Sequence, residues 1–363
     1  TNNLYEVHFP VADTGYVVGD SGTILKTIDG GINWMQLNSG VNVLLNSVYF
    51  LNTDTGYAAG QSGVILKTYN GGTNWIIQFF DCNIELFSVY FINENIGFAA
   101  GGSGVSIGSI VLKTTNGGMN WNIATMLDTI DQPLKSIHFP VPDTGYSVFR
   151  NGIIKSLDGG NTWFVIASAS NPLDPLVSIL EDCYFIDANT GYIVGWYGPL
   201  LSKSINGGIN WLLFNQFQPE SIYFPGLFSI DFPDDNIGYG VGWRSVIVKT
   251  TDAGNNWIIQ SLESLLNNAN LYSVHFSDTN TGYIVGENGT ILKTDNGGSV
   301  GISEIGLENK QVVVSIYPNP NNNEVIIKMN IPKNQNIEIR LLSLSGQVLY
   351  EEKPGQLIGA YQK

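Results

Sequence analysis

The sequence predicts an all-β chain: a seven-bladed β-propeller of four-stranded blades, followed by a small C-terminal β-sandwich. Three observations carry this. "TIDGGINW" at 27–34 recurs, with successive Trp residues 41 to 48 positions apart, and a period of that size marks a repeat architecture. A second half-motif, Gly-Tyr or Gly-Phe after a run such as "VYF", recurs in register with it. Nothing in residues 1–300 carries the 3.6-residue period of a strong amphipathic helix.

Each repeat reads as four strands in order. Strand A is the "SVYF" type, rich in β-branched and aromatic residues. Strand B is the "GYAAG" type, opened by Gly15-Tyr16, Gly56-Tyr57, Gly97-Phe98, Gly145-Tyr146, Gly191-Tyr192, Gly238-Tyr239 and Gly282-Tyr283. Strand C is the "GVILKT" type, and strand D begins at the Trp. Gly, Asn and Asp between these runs are turn signals. The C–D turn is the opening motif itself. Its carboxylate position holds Asp29, Asp158 and Asp252, but also Asn70, Asn116, Asn206 and Asn296. Asn cannot act as a carboxylate acid or base, yet it can accept backbone N–H groups in the same turn. The position is therefore structural. Trp34, Trp75, Trp121, Trp163, Trp211 and Trp257 follow it, each burying an apolar face against its blade. The seventh copy, "TDNGGSVG", lacks the Trp.

Closure of the ring is less plain. Either 300–307 supplies the last strand, or a strand comes from upstream of Leu4. "NNLYEVHF" reads as the tail of a severed connector, so the upstream source is expected. There is no start Met and no signal peptide, as in a mature form or a fragment.

The repeat resembles the Asp-box, or BNR, repeat, whose pattern is Ser/Thr-x-Asp-x-Gly-x-Thr-Trp. With its "TGYxVG" half it is similar to propellers of the photosystem II stability/assembly factor type. The resemblance covers residues 4 to about 300 and implies fold more than function.

The last segment changes character. "VVVSIYPNPNNNEVIIKM" and "IEIRLLSLSGQVLYEE" are alternating strands with Pro/Asn turns. "YPNP" at 317–320 and "IRLLSLSGQVLY" at 339–350 resemble the C-terminal sorting domain of the type IX (Por) secretion system. That resemblance implies export across the outer membrane of Bacteroidetes-type bacteria, by the type IX machinery, to the cell surface or the medium. The family continues past "GAYQK", so this copy reads as C-terminally truncated. The expected division is propeller 1–301, linker 302–311 and sorting domain 312–363.

Charge supports the division and narrows the partners. The chain has 363 residues and a net charge of −15. After residue 301 acids and bases are equal at six each, so the propeller holds the whole imbalance. An acidic propeller excludes nucleic acid, whose binding needs a Lys/Arg footprint. No apolar run is long enough for membrane insertion. Cys82 and Cys183 read as two buried free thiols. A monomer is expected, with no cofactor.

Deviations from the template point to function. Seven of the ten propeller bases recur on strand C: Lys26, Lys67, Lys113, Lys155, Lys203, Lys249 and Lys293. Their regularity is structural. His8, His138 and His275 share one strand-A position with Tyr49, Tyr90, Tyr184 and Asp231. A ring of mixed residues suits packing between blades, and no metal site is expected. Two tryptophans are off-template. Trp196 and Trp243 follow "GYIVG" and "GYGVG" at the B–C turns of blades 5 and 6, beside Tyr197 and Arg244. Arg150 has the same place in blade 4. The B–C and D–A connections share one face of a propeller, and the long connectors 164–181 and 212–229 belong there too. Exposed aromatics beside arginine suit stacking on sugars or capture of a peptide. The same Trp pair could instead cap the seam between two blades.

The leading reading is a non-catalytic binding or scaffold module for a surface glycan or protein. The alternative is a glycoside hydrolase with two carboxylates on this face, drawn from Asp174, Glu181, Asp182, Glu220, Asp234 and Asp235. A sialidase is excluded, since its arginine triad cannot be built from Arg150 and Arg244.

Overall fold

The computed structural model describes residues 2–103, 107–127, 130, 132–168, 179–196, 201–214, 226–260, 266, 268–298, 303–304, 313–319, 324–342 and 348–362. Seven four-stranded antiparallel meanders span 4–37, 45–79, 85–127, 134–168, 179–213, 227–259 and 271–304; these are blades 1 to 7. In blade 1 strands A to D are Leu4–Val11, Thr14–Gly19, Ile24–Thr27 and Met35–Leu37. The only helical elements among the described residues are single 3₁₀ turns.

Strand A is innermost. Its sequence is Leu-x-x-aliphatic-x-Phe, with only Cys183 departing at the fourth place. The first, fourth and sixth residues are buried between blades, as with Leu86, Val89 and Phe91 in blade 3. Phe91 stacks on Tyr57 of the preceding blade at 3.8 Å and meets Trp121 edge-on at 5.9 Å. Phe50 with Tyr16 and Trp75, and Phe185 with Tyr146 and Trp211, repeat the trio. The apolar core is thus a set of inter-blade clusters joined by offset-stacked and T-shaped aromatic pairs. Gly56 and its equivalents are required opposite Phe: a Cβ at Gly56 would lie 2.4 Å from the Phe50 ring.

The template lysines tie blades together. Lys26, Lys67, Lys113, Lys155, Lys203 and Lys249 each donate to a backbone carbonyl in the C–D turn of the following blade. Several strand-B tyrosines reach the same turn; Tyr239 and Lys249 share the Gly297 carbonyl.

Closure departs from the expectation. Blade 7 takes its fourth strand from Ser303–Glu304, paired with Ile291–Thr294, rather than from a segment ahead of blade 1. Among the described residues no strand is exchanged between blades 7 and 1. Side chains seal the seam: Tyr283 Oη donates to Gly30 O at 2.9 Å, and Ser273 Oγ accepts from Val7 N at 3.3 Å. The tail forms an antiparallel three-stranded sheet of Val313–Asn319, Glu324–Leu342 and Val348–Gln362. Both cysteines are free, but only Cys183 is buried; Cys82 lies exposed in the blade 2–3 connector, where no core reaches it.

Candidate binding face around the central channel

The C–D turns consume their own polar groups. Asp29 Oδ1 accepts from Asn33 N at 2.9 Å and Thr27 Oγ1 at 2.8 Å, while Thr27 Oγ1 accepts from Gly31 N at 2.8 Å. Asn70 Oδ1 accepts from Asn74 N and Thr68 Oγ1 in the same pattern. Asn116, Asp158, Asn206 and Asp252 repeat it, and Asn296 Oδ1 accepts from Thr294 Oγ1. These bonds hold Asp29 below the ordinary carboxylate range and Asp158 at about 2. Gly30 and Gly31 take φ of +66° and +81°, which glycine adopts without steric cost. Asp234 and Asp235 also lie on this side, in the A–B turn of blade 6. That removes them from the face on which the sequence placed them. Asp234 Oδ1 caps its own turn, accepting from Asn236 N and Ile237 N.

The centre of the ring is a cavity of about 400 Å³ lined by strand A of the blades. The third and fifth residues of strand A face it. Here the side chains carry hydrogen bonds from blade to blade. Ser47 Oγ accepts from Val89 N, and Ser88 Oγ from Ile137 N. Two carboxylates replace serine in this ring. Glu6 Oε2 accepts from Val48 N, and Asp182 Oδ2 from Ile230 N. Burial raises Glu6 to about 8 and Asp182 to about 6, against the pull of those bonds. At the fifth place His8 Nδ1 and His138 Nδ1 accept from Phe50 N and Phe185 N. An accepting, buried imidazole is held neutral, and His138 falls to about 4. His8 and His275 lie with ring centroids 5.0 Å apart, as packing partners. Among the described residues no group of three or more His, Cys, Asp or Glu could hold a metal.

The opposite face is built differently. In every blade the A–B register slips at the second residue of strand A. A bulge breaks the in-out alternation and re-aims one side chain. The bulged residues are Tyr5, Asn46, Phe87, Lys135, Glu181, Phe228 and Tyr272. Fifteen positions after each comes a residue at the start of the B–C turn: Asp20, Gln61, Gly102, Arg150, Trp196, Trp243 and Glu287. Three pairs are joined directly. Tyr5 Oη donates to Asp20 Oδ1 at 3.3 Å, Tyr272 Oη to Glu287 Oε1 at 3.1 Å, and Trp196 Nε1 to Glu181 Oε1 at 2.8 Å.

These pairs form a graded rim. Blade 4 is basic, with Lys135 3.9 Å from Glu181 and 3.8 Å over the Phe87 ring. Blades 5, 6, 7 and 1 form an aromatic arc. Trp196 and Trp243 flank Gly226: a Cβ there would lie 2.3 Å from Trp196 Cβ, and Gly226 O accepts from Trp243 N at 2.8 Å. Trp243 is 36% exposed and Trp196 is half-buried, so Trp243 offers the freer ring. Arg244 stands 6.0 Å from the Trp243 ring centroid with φ at +54°. Phe228 meets Tyr272 at 5.6 Å, and Tyr272 stacks on Tyr5 at 5.0 Å. Arg150 sits in the blade 4 B–C turn, its carbonyl accepting from Leu180 N at 3.0 Å. Tyr197, Asp174 and Glu220, with much of both long connectors, lie outside the described residues.

Sequence reasoning found the turn half in blades 4, 5 and 6, as Arg150, Trp196 and Trp243. Of the bulged residues it offered Glu181 as a candidate carboxylate, and it missed the pairing and the turn residues of the other blades. The available signal was the position two residues before the strand-A aliphatic. It varies from Tyr to Lys to Glu while its neighbours hold to a template.

The geometry now stands beside the comparisons. A family model described as photosynthesis system II assembly factor YCF48 matches residues 1–81 and 215–313. A second, the secretion system C-terminal sorting domain, matches 315–357. The chain is an Asp-box propeller of the photosystem II assembly factor type, followed by a secretion sorting domain. No curated protein matches it. Among solved structures the propeller is similar to YCF48 bound to D1 peptide, with 18% identity, TM-score 0.64, and 81% and 93% of the two chains covered. YCF48 from Cyanidioschyzon merolae matches at 20% identity and TM-score 0.64, over 81% and 95% of the chains. The GH74 enzyme of Niastella koreensis matches at 17% identity and TM-score 0.63, covering 91% of this chain but 57% of the enzyme. At such identities the likeness is one of fold.

Proposed function

We propose that the propeller is an exported, non-catalytic binding module that takes a protein or glycan segment on its B–C/D–A face. Its sorting domain would deliver it to the cell surface or the medium through the type IX machinery. The observation that carries this is the concentration of off-template side chains on one rim. Trp196, Trp243, Arg244 and Arg150 sit over blades 4 to 6, and the bulged aromatics continue the arc to blade 1. The other face spends its polar groups on its own turns. A YCF48 structure with a bound peptide supports a propeller of this shape as a peptide receptor.

The alternative is hydrolysis of a polysaccharide. GH74 propellers favour it, together with Glu181, whose burial raises its pKa on this face. Against it, Glu181 is engaged by Trp196 and Lys135, and Asp182 by backbone and serine donors.

Peptide and glycan arrays probed with the purified chain, with reducing-end release assayed in parallel, decide between them. Binding without release, lost in the Trp196→Ala/Trp243→Ala double variant, supports the module. Release that vanishes in Glu181→Gln establishes the hydrolase, and binding untouched by the double variant refutes the site.

A further inference from the structure

The rim has one sector with a distinct chemistry, where blade 7 meets blade 1. The Tyr/carboxylate pair occurs there twice, as Tyr5 with Asp20 and Tyr272 with Glu287. The two rings stack at 5.0 Å with an interplanar angle of 27°, and Phe228 extends the surface. Asn3 bridges the two turns. Its N–H donates to Asp20 Oδ2 at 3.0 Å, and its Oδ1 accepts from Asn288 N at 3.1 Å. Glu287 is fixed likewise, accepting from Asn270 N and Nδ2. The carboxylates are thus held rigidly beside aromatic faces. Both are only partly exposed.

No lysine or arginine forms an ion pair with either carboxylate among the described residues. Arg244, in the adjoining blade 6 turn, meets this sector through its backbone, its N–H donating to Asn270 Oδ1 at 3.0 Å, while its guanidinium lies 6.0 Å from the Trp243 ring centroid. Six template lysines are spent on carbonyls of the C–D turns, on the far side. A cation over a tyrosine face is attracted by the ring quadrupole, more strongly when partly desolvated, and a neighbouring carboxylate adds to it.

We propose that this sector receives a cationic side chain, lysine or arginine, from a polypeptide partner. The proposal rests on the binding-module reading and names the partner's chemistry: a basic peptide segment rather than an acidic one or a neutral glycan. Aromatic faces alone would suit sugar, but two rigid carboxylates without a cation on a propeller of net charge −15 favour a basic ligand.

The test is titration calorimetry of the full chain with hexalysine, hexaglutamate and cellohexaose. Hexalysine is expected to bind, with affinity falling as salt rises. The Asp20→Asn/Glu287→Gln variant keeps size and one acceptor oxygen at each site while removing the charge, and should weaken hexalysine about ten-fold or more. Asp54→Asn/Asp143→Asn removes the same charge from exposed A–B turns on the far face, and should change affinity less than about two-fold. Matched thermal melting shows that each variant is folded, and the single variants Asp20→Asn and Glu287→Gln serve if the double one is not. Absence of hexalysine binding, tighter binding of hexaglutamate or cellohexaose, or equal weakening by both double variants overturns the assignment. If Trp196→Ala/Trp243→Ala abolishes capture of an array ligand that Asp20→Asn/Glu287→Gln leaves untouched, the module stands and this assignment falls.

Discussion

Replacing Glu6 by glutamine should make the propeller more stable in alkaline solution. Five of the seven equivalent positions carry serine, and Glu6 introduces a charge where a hydroxyl suffices. Burial raises its pKa from 4.5 to about 8. Below 4.5 the group is neutral in both folded and unfolded chains and costs nothing. Between 4.5 and 8 the unfolded chain ionises while the fold retains the proton, so stability falls as pH rises, then levels off. At about 1.4 kcal/mol per unit, the full displacement is an upper bound of roughly 5 kcal/mol. Glu6 faces the central cavity and is only partly buried, so solvent repays part of this. An advantage for Glu6→Gln that grows by about 2 kcal/mol from pH 5.5 to pH 9 is expected. Glutamine Oε1 can still accept from Val48 N, which isolates the charge. The assay is thermal melting of both proteins at the two pH values, kept away from the pI near 4.4. The midpoint gap should widen by about 4 °C. A gap that does not change with pH, or a variant less stable at pH 9, would refute the reasoning.

Three further outcomes follow from the same geometry. Lys113→Met removes the bonds to Gly159 O and Asn161 Oδ1, both 2.7 Å, and should cost about 1–3 kcal/mol in chemical denaturation. An unchanged midpoint would make that lysine a surface charge only. Asn70→Asp should melt within about 1 °C of the parent, whereas Asn70→Ala loses the acceptor for Asn74 N and about 1 kcal/mol. Equal losses would overturn the turn argument. His138, depressed to about 4, should contribute stability that is complete above 6.5 and is lost as pH falls through 4. An imidazole NMR titration midpoint near 6.5 would show that the burial lowering it does not hold in solution.

Legibility differed by position. The four-strand unit was plain because Asp29, Trp34, Gly56 and Phe91 recur in equivalent places, and each satisfies a local or nearest-blade demand. The lysines were read as structural from regularity alone, and their carbonyl partners lie 45 to 52 residues away in the next blade. Asp234 was placed on the wrong face because composition does not say which turn of a meander carries it. The ring closure was misjudged because Ser303–Glu304 is a two-residue strand with no sequence signal of its own.

What the sequence determined by itself is the repeat: its period, its strand order, its turn chemistry and the off-template residues Trp196, Trp243, Arg150 and Arg244. These follow from local propensity and from identity between copies. Tertiary structure alone decided the bulge in every strand A. It is a matter of register between strands, and it turns Tyr5, Phe228 and Tyr272 to the rim. It also decided that blades 7 and 1, with Tyr5 and Tyr272 lying 267 residues apart in sequence, set two Tyr/carboxylate pairs side by side. Neighbourhood across a closed ring is a consequence of curvature, which no single repeat encodes.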